Sequence, residues 1–273
     1  TAWQRAVQYK IAALHQQYQK TFIIKRLLCN ITAFLLCQKR VDIKERYMIQ
    51  PSASTVSHAI PKLYLLTNDD EFSLLYQKLE TALATGLIAL LQIRRKQTLA
   101  LPDGASVLYK EALQIVDLAK NYNVSVVIND DIALAARLGV GVHLGQQDGD
   151  VSEAIQSLAP NQIVGRTCNG DVTLIKAAKD EGASYAAMGA IFASTTKPNA
   201  ATISRQQLIE GCQQDIKICV IGGLTAENIS ELAGLPITYI AVVGDIMDLP
   251  VHQIATRCQQ WQQALSTWNI PVS

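Results

Sequence analysis

No run of 18 or more uncharged apolar residues occurs anywhere in the chain, so nothing in it reads as a membrane-spanning helix. The nearest stretch, residues 22–37, is interrupted by Lys25 and Arg26 and lies too far from the start for a plain signal peptide. Aromatics are scarce, at 6%, and 15 glycines and 8 prolines are ordinary numbers, which excludes collagen-like, low-complexity and disordered classes. Charge of one sign is also lacking. The net is only +1, so no global basic field marks nucleic acid as the partner. The six cysteines (Cys29, Cys37, Cys168, Cys212, Cys219, Cys258) include no CxxC pair and no Cys/His cluster with zinc spacing. They read as buried or idle thiols in a reducing cytosol. Methionine is missing from residues 1–47, the first being Met48.

What is present is unevenly spread. The first 60 residues hold nine Lys/Arg against two Asp/Glu, and the rest hold 15 against 21, so the sign of the charge changes near residue 60. Residues 1–47 read either as a basic helical extension, apolar at Phe22, Ile23, Leu27 and Leu28, or as sequence upstream of a start at Met48. Attachment to a membrane surface through a basic amphipathic helix is a third reading. Residues 50–61, with Pro51, Pro61 and three serines, read as a linker. The expected organisation is an extension and linker over 1–60 and a folded domain over 61–273.

From residue 61 onward short apolar runs alternate with amphipathic helical spacing. Eight runs stand out: 62–67, 88–94, 125–129, 141–145, 163–167, 184–192, 216–222 and 239–243. Short apolar runs of this kind read as strands buried on both faces. Between them, Phe72, Leu75, Leu79 and Ala82 recur at helical spacing, with Gly86 as a C-terminal cap. So do Leu108, Ala112, Ile115 and Ala119, and later Ile254, Cys258, Trp261 and Leu265. Thr225 suits an N-cap, with Glu227 in the first turn. Eight such repeats in about 207 residues favour a compact α/β fold, a (β/α)8 barrel, over an open doubly wound sheet. A barrel of this kind places its site at the C-terminal ends of the strands.

The polar residues collect at those ends. Strand two ends in Gln92-Ile93-Arg94-Arg95-Lys96, and alternation points Gln92, Arg94 and Lys96 one way and Arg95 the other. An amide and two cations on one face suit a polyphosphate, although a solvated basic turn would read the same way. Strand three ends in Asn129-Asp130-Asp131, and strand four leads into His143-Leu144-Gly145-Gln146-Gln147-Asp148. Carboxylates on adjacent strand ends can hold one hard divalent cation, or they can cap helices. His143 reads as a packed, hydrogen-bonded histidine. Strand five ends in Arg166-Thr167-Cys168-Asn169, where a hydroxyl could orient a polar heterocycle and Cys168 has no neighbouring His to activate it. Ser194, Thr195, Thr196 and Lys197 suit a further anion-binding loop, although an ordinary polar loop would read the same way. Gly222-Gly223 and Val243-Gly244 offer backbone N–H groups after strands seven and eight, where barrels often hold phosphate.

The ordered set YLLTNDD, LLQIRRK, VVINDDIALAARLGVGVHLGQQD, GRTCN, GAIFASTTKP, VIGGLTAEN and AVVGDIM resembles the thiamine phosphate synthase family, also called thiamine-phosphate pyrophosphorylase. The likeness covers essentially all of residues 61–267. It implies a TIM barrel, usually a homodimer, and a cytoplasmic transferase that acts on small molecules, with no nucleic acid partner and no stable membrane insertion. The implied reaction joins a hydroxymethylpyrimidine diphosphate to a hydroxyethylthiazole phosphate, giving thiamine monophosphate and pyrophosphate by a dissociative carbocation route. Carried over by position, Gln92, Arg94, Lys96 and Asn129 hold the pyrimidine diphosphate, and Asp130 and Asp148 ligate Mg²⁺. Thr167 stands near the pyrimidine, where the family usually has serine, and Lys197 neutralises the departing pyrophosphate. Ser194 and Thr196 meet the thiazole phosphate, and Gly223, Val243 and Gly244 cradle it. Arg94, Lys96 and Lys197 are thus the catalytic set.

Three positions depart from the family pattern. Gly244 replaces a common serine. Asp245 follows it and must point away from a phosphate or be paired. Ile203-Ser204 stands where a glycine usually precedes the sixth helix. Two other functions fit the fold. Thiazole tautomerase relatives use a histidine just after strand five, where Asn169 stands here. A non-catalytic barrel that binds thiazole phosphate or thiamine phosphate is the other.

Overall fold

Each of the eight apolar runs forms a strand in the computed structural model, which describes residues 59–193 and 201–268. The strands are β1 (Lys62–Leu66), β2 (Ile88–Ile93), β3 (Ser125–Asn129), β4 (Gly141–Leu144), β5 (Val164–Thr167), β6 (Tyr185–Met188), β7 (Ile218–Ile221) and β8 (Tyr239–Val242). All pair in parallel and in chain order, and β8 closes on β1 through Leu63↔Ile240 and Tyr64↔Ala241. The chain therefore forms a (β/α)8 TIM barrel. The readings made for residues 1–58 lie outside the described residues.

Strand periodicity explains why the runs look continuous. Tyr64, Leu66, Leu90, Val127, Tyr185, Ala187, Cys219 and Ala241 point inward and fill the barrel. Their sequence neighbours, among them Leu63, Leu65, Leu91, Ile93, Ile128 and Val142, face the helices. With both faces buried, an alternating polar pattern cannot occur. The covering helices include α1 (Phe72–Leu83), α2 (Lys96–Leu99), α3 (Gly104–Asn121), α4 (Ile132–Leu138), α5 (Val151–Ser157), α6 (Val172–Asp180), α7 (Arg205–Cys212), α8 (Gly244–Met247) and α9 (Val251–Ser266). The spaced apolar residues named from sequence form their inner faces. Leu75, Leu79, Ala112, Ile115, Ile254 and Trp261 are all fully buried.

Three local expectations need correction. β6 ends at Met188, four residues short of the apolar run. From Gly189 the backbone runs against Ile221, where a side chain would collide, and Ile191 N–H and Phe192 N–H donate to Ile221 O and Gly222 O, both at 3.0 Å. The run therefore continues as a loop bonded to the end of β7. Gly86 is not the cap of α1. Ala84 caps it, and Gly86 follows at φ +70°, turning the chain toward β2. Thr225 does accept Asn228 N–H at its hydroxyl, as a cap would, and the Asn228 side chain accepts Thr225 N–H in return. That closed loop admits only a 3₁₀ turn, Ile229–Leu232, and no long helix follows.

Candidate active site

A cleft of about 1510 Å³ opens over the C-terminal ends of the strands. Gln92, Arg94, Lys96, Asn129, Asp130, Asp148, Thr167, Gly223, Val243 and Gly244 all line it. The remaining candidates, Ser194, Thr196 and Lys197, lie outside the described residues. The inward phase of each strand sets this gathering. Gln92 follows Leu90 by two residues and Asn129 follows Val127 by two, so both inherit the interior direction at the mouth. The same alternation sends Arg95 outward. It is buried, and its Nε and Nη2 donate to Glu111 Oε2 and Oε1 at 3.0 and 3.3 Å. Its Nη1 donates to the carbonyls of Asn68 and Asp70.

The segment that Arg95 grips also holds Arg94. Thr67, fully buried, accepts Arg94 N–H at 2.8 Å and donates to Arg94 O at 3.1 Å. Lys78, also buried, donates to Asp70 Oδ2 at 2.5 Å and to Met247 O at 2.6 Å. The segment after β1 is thereby fastened to the end of β2 and to α8. The family-like string at residues 64–70 thus acts as scaffold around Arg94, a role that sequence reading did not assign.

The two acids of the Asn129-Asp130-Asp131 string face different ways. Asp131 caps α4, its Oδ1 accepting Leu134 N–H at 2.8 Å. Asp130 faces the cleft from a left-handed backbone, φ +63°, a conformation disfavoured for non-glycine residues and often kept at functional sites. Its N–H donates to His143 O at 2.8 Å, and its Oδ1 accepts Gly145 N–H at 2.9 Å. Its Oδ2 accepts the Asn129 side-chain amide at 2.5 Å and lies 3.5 Å from Lys96 Nζ. Gln92 Nε2 completes the row by donating to Asn129 Oδ1 at 3.3 Å.

Asp148 meets Asp130 across Gly145. A methyl group at Gly145 would collide with Asp148 Oδ2 and lie 3.4 Å from Asp130 Oδ1, so both carboxylates border one small space that glycine keeps open. Among the described residues no third His, Cys, Asp or Glu joins them. A pair of carboxylates suits Mg²⁺, which usually takes one or two from protein and the rest from phosphate oxygens and water. The loop carrying Asp148 is held from β5, where Arg166 donates to Gly149 O at 2.6 Å and Gln146 O at 3.0 Å.

Below the mouth a hydrogen-bonded row runs into the barrel. Thr167 Oγ1 lies 2.9 Å from His143 Nε2, His143 Nδ1 lies 2.8 Å from Tyr185 OH, and Tyr185 OH lies 2.9 Å from Tyr64 OH. His143 is a packed, hydrogen-bonded histidine, and burial pulls its imidazole down to about 4, so it is neutral near pH 7. The sequence singled out Thr167 and His143 separately. The tyrosines that join them were missed, and their inward phase on β1 and β6 was the available signal. Burial pushes the Cys168 thiol up to about 12, which agrees with its reading as an inert residue.

The opposite side of the cleft is built from backbone. Gly222 and Gly223 have φ values of +102° and +65°, and a side chain at Gly223 would strike the carbonyls of Phe192 and Ala193. Asn228 Nδ2 donates to Gly223 O at 2.8 Å and fixes that peptide. Asp245 is paired, as its position required, and its partner is Arg257 of α9. Ile203, at the third departure, donates its N–H to Ala190 O at 2.8 Å, and Ser204 caps α7 in a reciprocal bond with Gln207.

Residues 63–246 match the family model described as thiamine monophosphate synthase. A thiamine-phosphate synthase of Aromatoleum aromaticum is 36% identical over 191 residues, covering 69% of this chain and 89% of the relative. Another, from Methylobacillus flagellatus, is 30% identical over 210 residues, covering 76% and 97%. Among solved structures, a thiamine phosphate pyrophosphorylase from Pyrococcus furiosus superposes with a TM-score of 0.63 at 21% identity, covering 77% of this chain and 97% of that one. A barrel described as KGPDC from Streptococcus mutans reaches 0.60 at 12% identity, covering 77% and 99%. At such low identities the two structures speak for the fold alone.

Proposed function

The chain belongs to the thiamine monophosphate synthase family, and on that premise we propose that its cleft joins hydroxymethylpyrimidine diphosphate to hydroxyethylthiazole phosphate. The products are thiamine monophosphate and pyrophosphate. The observation that carries this reading is the meeting of Gln92, Arg94, Lys96, Asn129, Asp130, Asp148 and Thr167 on one cleft. Two cations beside two carboxylates fit a diphosphate that arrives with a divalent cation. Asp130 and Asp148 would hold Mg²⁺, which supplies charge neutralisation for the diphosphate.

The chain's own groups then have separable tasks. Arg94 grips the diphosphate with a planar fork, and Lys96 adds a point charge beside it. Gln92, Asn129 and Thr167 orient the pyrimidine through an amide row and a hydroxyl that are themselves hydrogen-bonded. The carbon–oxygen bond to the diphosphate breaks first, and its electron pair leaves on pyrophosphate, where Arg94, Lys96 and Lys197 meet the growing charge. The thiazole nitrogen then gives its lone pair to the pyrimidine-stabilised carbocation. Ser194, Thr196 and the backbone N–H groups of Gly223, Val243 and Gly244 hold the thiazole phosphate meanwhile.

The reading extends to a cytoplasmic homodimer whose catalytic domain is 61–273. None of the described helices is long and apolar enough to cross a membrane. A coupling assay with both substrates, with and without Mg²⁺, tests it. Thiamine monophosphate should form only with the metal, and the full chain and a chain beginning at Met48 should turn over equally. No product from either with Mg²⁺ present would sink the proposal.

A further inference from the structure

Asp245 sets an electrostatic problem. It directly follows Gly244 and borders the cleft beside the backbone assigned to the thiazole phosphate. A bare carboxylate there would repel a phosphate across a short distance. The side chain is instead nearly buried, 12% exposed, and is held from one direction only. Arg257 Nε donates to its Oδ2 at 2.9 Å and Arg257 Nη2 to its Oδ1 at 2.5 Å. Trp261 Nε1, one turn further along α9, donates to Oδ2 at 2.7 Å.

Arg257 has nothing left to give a substrate. Its Nη1 donates to Glu227 Oε1 at 2.5 Å and Gln260 Oε1 at 2.7 Å, and its Nη2 also donates to Glu227 Oε2 at 2.7 Å. With the two bonds to Asp245, all five guanidinium N–H donors are engaged. It therefore acts through Asp245 and Glu227 and not on the phosphate itself. Glu227 sits in the loop after β7, four residues beyond Gly223, so a single guanidinium ties together the segments that follow the last two strands.

We infer that Arg257 is a positioning residue for the second substrate: it turns the Asp245 carboxylate out of the phosphate cradle and neutralises it there. This rests on the synthase reading of the cleft. Arg257 also holds the Glu227 carboxyl down to about 2, and the two carboxylates raise Arg257 in turn. A mere staple between α8 and α9 would show the same bonds, and the kinetics separate the two roles.

The experiment compares the full chain with Arg257→Met and with Arg257→Met/Asp245→Asn. The single change should raise KM for the thiazole phosphate about tenfold, as expected for one unneutralised like charge at a partly solvated site, and leave KM for the pyrimidine diphosphate within about twofold. Adding Asp245→Asn should bring the thiazole phosphate KM back to within about threefold of the parent, because the repelling charge is gone. Equal rises in both KM values, or no recovery in the double variant, would overturn the inference and leave a structural staple. Should Arg257→Met fail to fold, Arg257→Lys keeps the charge but cannot fork across both carboxylates, and a smaller rise, still selective for the thiazole phosphate, is expected. If the parent chain makes no product, the function reading fails, and calorimetric titration with inorganic phosphate still decides the inference. Weaker binding in Arg257→Met that recovers in the double variant supports it, and equal binding in all three refutes it.

Discussion

The two sides of the cleft are built in different ways. The side over β2 to β5 uses charged and amide side chains locked to one another, with Gln92, Asn129, Asp130 and Lys96 in one row. The side over β7 and β8 uses glycine backbone, shaped by Asn228, with Asp245 paired to Arg257. The difference teaches where each kind of site is sensitive. On the proposed function, deleting a side chain should strip the first side of its role. The second should depend on residues that do not touch the phosphate.

The largest expected effect comes from removing a proposed metal carboxylate on the first side. Asp130→Ala should lower the coupling rate at least ~100-fold, about 2.7 kcal/mol of barrier. A near-parental rate at saturating Mg²⁺ would remove Asp130 from the metal site. Lys197→Ala should lower kcat more than it raises KM for the pyrimidine diphosphate, since leaving-group charge develops only in the transition state. A rise in KM at constant kcat would make Lys197 a simple binding residue.

Gly145→Ala sharpens the comparison at lower cost. Its methyl group intrudes between Asp148 and Asp130, so the Mg²⁺ concentration for half-maximal rate should rise about tenfold. An unchanged Mg²⁺ dependence would mean that the two carboxylates do not share an ion. The smallest effect belongs to the second side. The Glu227 carboxyl is depressed in the folded chain from 4.5 to about 2 by Arg257, so the folded state gains from its ionisation. That gain is complete above about pH 4.5 and is lost as pH falls toward 2. Because Glu227 is largely exposed, Glu227→Gln should cost little at pH 7 and nothing near pH 2, as read by denaturant melts at both. A larger cost at the acid end would reverse the sign of this account.

Much of the barrel was legible because strands buried on both faces are largely apolar, and each of the eight runs holds a strand. The first side was legible for a related reason. Its residues sit at strand ends, where alternation assigns a face, and it put Arg95 outside and Gln92, Arg94 and Lys96 on the cleft. Spacing did not divide the two acids after Asn129, since which of them caps the helix and which faces the cleft follows from the left-handed turn at Asp130. The end of β6 was misjudged because Ala190, Ile191 and Phe192 are apolar yet bond to the loop beyond β7. Arg257 escaped notice entirely. It lies on a helix outside the barrel wall, 12 residues from Asp245 and 30 from Glu227, and no local pattern links such positions.

The central claim is that this cleft performs the coupling, with the two strand-end carboxylates placing the metal. The most direct measurement quantifies thiamine monophosphate from both substrates across a Mg²⁺ titration, in the parent chain and in Asp130→Ala. The account predicts metal-dependent product from the parent and at least ~100-fold less from the variant. Absence of product from the parent at saturating Mg²⁺, or equal product from both chains, would contradict it.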